Sequence, residues 1–232
     1  MDQVAAHFPA GGGLNISCHV LYGSRVDRIL EFAAEQAADL LLVGHRRNRT
    51  GRRSMARRLA MKAPCSILLV PESATPRLQR IQAAFDFSDP AAYALGVATA
   101  LAQHRRLGEC QVLHVGSSRT ADGAQQREAI SRQLDEFVAR LDLHGVQAHT
   151  VLLEGSAVAS KILEAAASHR ADLIVMGSRG LSASAAVLLG SESEQTLMES
   201  PIPVLVAKRR GERLGVLEVL LDRDLRARPL RA

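Results

Sequence analysis

The residues best suited to chemistry lie in one stretch: Met176-Gly177-Ser178-Arg179-Gly180, nine further residues, then Gly190-Ser191-Glu192-Ser193-Glu194. The run 172–176 is apolar and reads as a strand, and a helical pattern opens at Ser191. A glycine-bearing loop therefore leaves the carboxyl end of a strand and ends at a helix start. Backbone N–H groups approach an anion closely where no Cβ intervenes, and the positive end of a helix favours negative charge. That is the chemistry of holding phosphate. Ser191 followed by Glu194 fits a capping box, in which each side chain satisfies a backbone N–H of the first turn. A second candidate is Asp86, within Ala84-Phe85-Asp86-Phe87-Ser88 at the end of another apolar run. A carboxylate there can accept from a ribose hydroxyl, or can cap the helix that follows. Gly177 and Gly180 fit tight turning as well as anion approach, and both readings stand.

These residues need a frame, and the hydrophobic pattern supplies one. Short apolar runs at 80–85, 110–115, 147–153, 172–176 and 204–207 alternate with helix-period segments at 90–104, 123–143, 158–169 and 191–199. Tyr93, Val97 and Leu101 mark the period of the first helix, and Pro90 suits its first turn. Ile130, Leu134, Phe137, Val138 and Leu141 form the apolar stripe of the second. Strands alternating with helices predict an α/β fold, a doubly wound parallel sheet covered on both faces. In the order 3-2-1-4-5 the first and fourth strands are neighbours, so Asp86 and the Gly177 loop converge at one sheet edge.

The chain also repeats itself. Ala38-Asp39-Leu40-Leu41-Leu42-Val43-Gly44 returns as Ala171-Asp172-Leu173-Ile174-Val175-Met176-Gly177, an offset of 133 (177 − 44), and Pro64 to Val70 matches Pro201 to Val206. This is a tandem duplication whose first copy is short. It has counterparts of the third strand (16–21), the fourth (40–43) and the fifth (67–70), with about 15 residues where the second copy has about 65 for its first two strands and helices. Either the start lies upstream, or strand 16–21 shifts inward, or another chain completes the sheet. The expected organisation is a partial copy at 1–71, a linker at 72–79, a complete copy at 80–210 and a tail at 211–232. The leucine-rich tail is a docking helix or a frayed terminus. The two apolar fifth strands are expected to pair, within the chain or between chains.

Composition narrows the function classes. The chain has 232 residues, 47% hydrophobic, 23% charged and 3% aromatic with no Trp, which excludes disorder and argues against a base-stacking platform. Cys18, Cys65 and Cys110 stand alone, giving neither a disulfide framework nor a zinc motif. No apolar run is long enough to span a bilayer and no signal peptide opens the chain, so the expected location is cytoplasmic. The net charge of +5 is concentrated between Arg46 and Lys62, where eight basic residues occur without an acid. That run is a solvated loop or an anion site; without interleaved aromatics or a recognisable motif, nucleic acid is not the expected partner.

The motif Gly177-x-x-Gly180-x9-Gly190-Ser191, preceded by Asp172-Leu-Ile-Val-Met and followed by Pro201-Ile-Pro-Val-Leu-Val, closely resembles the nucleotide-binding subgroup of the universal stress protein family. Asp86-Phe-Ser88, Leu113-His-Val115 and the duplication match with it. The resemblance implies a Rossmann-like domain that binds ATP, with magnesium where the nucleotide carries it, and that dimerises through its fifth strand. Carried onto this chain, it puts Ala84, Phe85 and Asp86 along the adenosine and Val115 beside the base. Met176, Gly177, Arg179 and Gly180 would hold ribose and phosphate, and Gly190, Ser191, Glu192 and Ser193 the triphosphate end. Glu192 departs from the family pattern, since a carboxylate at that helix start repels phosphates unless it turns away or a metal ion intervenes. The first copy replaces the motif glycines with Arg47 and Arg53 and is not expected to bind nucleotide. Three functions follow: an ATP-binding stress-response or signalling module without dedicated turnover, an interaction scaffold without nucleotide, and a slow magnesium-dependent ATPase. No Walker lysine loop and no spaced Ser, His and Asp set is present, which favours binding over catalysis.

Overall fold

The structure is a computed structural model and describes residues 15–46, 54–75, 77–116, 123–179 and 189–209. Gly180 and most of its loop, residues 47–53 of the arginine-rich run with four of its eight basic residues, and the tail at 211–232 lie outside the described residues. The first copy contributes α1 (Arg25–Glu35), β1 (Leu40–His45), α2 (Met55–Lys62) and β2 (Ser66–Pro71). The second contributes β3 (Ile81–Ala84), α3 (Asp89–His104), β4 (Glu109–Gly116), α4 (Gly123–Ala139), β5 (Gln147–Glu154), α5 (Val158–His169), β6 (Leu173–Gly177), α6 (Ser191–Glu199) and β7 (Val204–Ala207).

Both copies share one seven-stranded sheet in the order β1-β2-β7-β6-β3-β4-β5. From β5 to β7 this is the 3-2-1-4-5 order of a doubly wound fold, all parallel. The two fifth strands then meet antiparallel, with Ile67 opposite Val206 and Leu69 opposite Val204. All four side chains are buried in a core that crosses the join, with Leu59 and Leu197 from the covering helices. Burying a side chain of this size stabilises by roughly 1.5–3 kcal/mol, so the join holds the partial copy on the complete one.

The expectation of a strand at 16–21 is overturned. The described part of the chain before α1 has no regular structure, and Ile16, Val20, Leu21 and Tyr22 are exposed. In the 3-2-1-4-5 order a third strand pairs with the second, and the first copy has none to offer. β1 is therefore an edge, bonded to β2 alone among the described strands. A second difference concerns α3. Tyr93, Val97 and Leu101 set its period, but its buried face is Ala91, Ala94, Leu95, Ala98, Thr99 and Ala102. Small side chains let this helix approach the sheet closely, which leaves the larger stripe half-buried beside it. No helix among the described residues is long and apolar enough to cross a membrane.

Candidate functional site

Three strands end together where β3, β4 and β6 run parallel, and the chain leaves each of them toward a helix. At the end of β3, Phe87 adopts φ 65°, a conformation that a bulky residue rarely takes. The bend lets the Asp86 carboxylate accept from the backbone N–H of Ser88 at 3.1 Å and from its hydroxyl at 2.5 Å. Ser88, not Asp86, caps α3: its Oγ accepts from the N–H of Ala91 at 3.2 Å. Phe85, Phe87 and Phe137 pack edge to face around the turn, and the ring of His114 packs on Phe87. His114 Nδ1 lies 2.8 Å from the Phe85 carbonyl oxygen. A carbonyl only accepts, so Nδ1 carries the proton and donates.

The end of β6 is latched to the start of α6 from two sides. The N–H of Gly190 donates to the Ser178 carbonyl at 2.9 Å, and the Ser193 hydroxyl donates to the Gly177 carbonyl at 3.1 Å. Gly177 is needed for packing. A Cβ there would lie 2.8 Å from the carbonyl carbon of Pro90 and 2.9 Å from the nitrogen of Ala91. The first turn of α3 thus sits against the bare backbone of β6, which gives this glycine a steric role beside the anion approach read from sequence.

The capping box expected at Ser191 and Glu194 is not formed. Gly190 is the N-cap of α6, without a side-chain cap, and Glu194 instead pairs with Arg57 of α2 in the first copy. That hydrogen bond raises the Arg57 guanidinium above its ordinary value. Among the described residues no side chain caps the first-turn N–H groups of α6, which leaves them open to solvent or to an anion. Glu192 also departs from the expected role. Its Oε2 accepts from the N–H of Ala159 at 2.9 Å, in the first turn of α5, whose own N-cap, Ala157, has no side-chain acceptor. One oxygen of the carboxylate is thus held by another helix at the edge of the cleft.

Between these elements lies a cleft of about 560 Å³. Every residue assigned to the site from sequence lines it, from Ala84, Phe85, Asp86 and Val115 to Met176, Gly177, Arg179, Gly190, Ser191, Glu192 and Ser193, except Gly180, which lies outside the described residues. Sequence reasoning did not assign Ala91, Leu113, His114, Val158 and Ile162, which also line it. Three were legible by spacing. Leu113 shares a strand face with Val115, and Val158 and Ile162 are one helical turn apart. One wall, with Leu113, Val115, Ile162 and Met176, is apolar; the rim, with Asp86, Arg179, Ser191 and the start of α6, is polar. The volume falls within the roughly 300–1,000 Å³ of small-molecule sites. Among the described residues no group of three or more His, Cys, Asp or Glu comes together that could hold a metal ion.

Comparison with known proteins agrees with this geometry. The universal stress protein family model matches residues 3–71 and 77–208. Among curated proteins, the chain is 40% identical over 85 residues to a universal stress protein of Thermus aquaticus, covering 35% of this chain and 62% of that protein. A universal stress protein of Methanocaldococcus jannaschii is 45% identical over 88 residues, covering 38% of this chain and 47% of that one. Each matched region thus spans less than two thirds of that relative. Two solved structures share the fold. A universal stress protein from Archaeoglobus fulgidus has a TM-score of 0.58 at 24% identity, covering 81% of this chain and 66% of that one. A Pseudomonas aeruginosa protein described as a putative universal stress protein has 0.61 at 21%, covering 86% and 73%. With two matched segments, a Rossmann-like sheet and the motif residues gathered at one strand edge, the chain belongs to the universal stress protein family, as a tandem member.

Proposed function

We propose that this protein binds an adenine nucleotide, ATP in the first instance, in the cleft of its second copy, and acts as a stress-response or signalling module without dedicated turnover. The observation that carries the reading is the pairing of an apolar wall with an uncapped helix start in one cleft. Leu113, Val115, Ile162 and Met176 suit a flat base, and the first-turn N–H groups of α6 suit phosphate oxygens. Asp86 lines the same cleft and suits a ribose hydroxyl, and Arg179 adds positive charge there. Gly180, on the loop between, completes the cradle in this proposal. Any magnesium would arrive on the phosphates.

Binding without turnover is supported by the engagement of the cleft's titratable groups. Asp86 accepts from Ser88, Glu192 holds the start of α5, and the Nδ1 proton of His114 is committed to a carbonyl. Both carboxylates are thereby engaged in holding the fold, while the His114 ring keeps its Nε2 lone pair. The test is displacement of a fluorescent ATP analogue from the full chain by ATP, with and without magnesium. ATP should compete, and Asp86→Asn should weaken it by roughly tenfold, the worth of one hydrogen bond to a charged acceptor. A chain that fails to bind the analogue would leave the interaction scaffold as the better account.

A further inference from the structure

Among the described residues, no helix covers the face of the sheet opposite α1 and α2 over the first copy. In the second copy α3 covers that face, and Gly177 admits its first turn. Gly44 holds the matching place at the end of β1, where an added Cβ would meet nothing within 4 Å. Leu40 and Leu42 share the face of Gly44 by strand alternation, and they are 48% and 63% exposed. With Leu68 and Val70 of β2, and with Tyr93 and Val97 of α3, they line a groove of about 600 Å³. The floor is leucine-rich, Gly44 follows it on the same face of β1, and one wall is the large apolar stripe that α3 does not bury. This is a helix seat without its helix.

We propose that residues 214–225 of this same chain occupy the seat as a helix that lays its leucine stripe on the groove. The way the chain leaves β7 argues for it. Lys208 is buried, its Nζ donating to the carbonyls of Ala60 and Ala63 at 2.9 and 3.3 Å, and its backbone is bonded to Ser66 Oγ. The next residue turns to the other face: the Arg209 guanidinium sits 5.4 Å over the ring of Tyr93, a wall of the groove. The last described residue therefore delivers the chain to the groove's rim.

The lengths agree. From β7 to β1 is two strand spacings, about 10 Å, and residues 210–213 reach about 13 Å when extended. A helix over 214–225 is about 18 Å long, enough to lie along the roughly 13 Å from Leu40 to Gly44. Leu214, Leu217, Leu221 and Leu225 recur on one side of such a helix, with Glu218 at the edge of that stripe and Asp222 and Arg223 off it. The groove shares no residue with the nucleotide cleft, so the two readings fail independently.

The experiment is photocrosslinking in the full chain. p-Benzoylphenylalanine replaces Leu42 in one preparation and Leu40 in a second, both already exposed, and the adducts are mapped by mass spectrometry. Adducts within the same chain to residues 214–225, with a yield unchanged on dilution, are expected from both positions. Leu217→Asp with Leu221→Asp should cut that yield by roughly tenfold or more, since two apolar side chains lose their burial. Adducts to a second copy, adducts elsewhere in the chain, or none at 214–225 from either position would overturn the proposal.

Discussion

The Glu192 carboxylate accepts from the backbone N–H of Ala159 at 2.9 Å, joining the first turn of α6 to the first turn of α5. An acid that reads as a hazard for phosphate binding is the missing cap of a neighbouring helix, because Ala157 at the N-cap of α5 offers no side-chain acceptor. Glu192→Ala should therefore lower stability by about 1 kcal/mol, seen as a reduced denaturation midpoint. Glu192→Gln, which keeps an acceptor oxygen, should retain most of it. Equal stability of all three proteins would remove the cap.

Gly177 and Gly44 occupy the same place in the two copies, yet only the first is enclosed. Gly177→Ala drives a methyl group into the backbone of Pro90 and Ala91, and overpacking of that kind costs about 1–3 kcal/mol. Gly44→Ala meets no described atom within 4 Å, only the proposed 214–225 helix, and should cost less than Gly177→Ala. Chemical denaturation of the two variants checks the contrast, and equal losses would contradict it.

Arg57 and Glu194 tie the partial copy to the site-bearing helix of the complete one, each about a quarter exposed (24% and 27%). A double-mutant cycle with Arg57→Ala and Glu194→Ala should give a coupling of about 1 kcal/mol, at the upper end for exposed pairs. The coupling should weaken as salt is added. A value of zero would make the contact incidental.

The three thiols should separate by reactivity. Cys18 is exposed, while Cys65 and Cys110 are buried, and burial pushes the Cys110 thiol up to about 12 and raises Cys65 too. A thiol reagent at pH 8 should modify Cys18 quickly and the other two only on unfolding. The sign of the pH dependence follows. The unfolded chain releases the Cys110 proton near its ordinary value of 9.0 while the folded chain holds it, so this group's contribution to stability is complete below pH 9 and declines toward pH 12. Cys110→Ala should flatten that alkaline decline.

Much of this was legible in the sequence, for a physical reason. Strands buried on both faces leave continuous apolar runs, so the core of the second copy and the strand-end positions of Asp86, Met176 and Gly177 could be read from patterning alone. The duplication placed the fifth strands as pairing candidates. What patterning did not reveal was long-range: that Glu192 caps α5, that Glu194 turns to Arg57, and that Gly177 is bare because Pro90 passes close by. Each depends on which helix lies across the sheet, and a local motif such as Ser191 to Glu194 carries no signal of that competitor. The segment 16–21 has the apolar composition of a strand, but composition does not supply a pairing partner.

The central claim is that the cleft between Asp86 and the start of α6 holds ATP. Titration calorimetry of the full chain with ATP, beside the Gly180→Val variant at matched stability, tests it most directly. Saturable binding to the unaltered chain with a one-to-one stoichiometry, lost in Gly180→Val, is the expected result. No measurable heat with either protein, or equal binding by both, would contradict it.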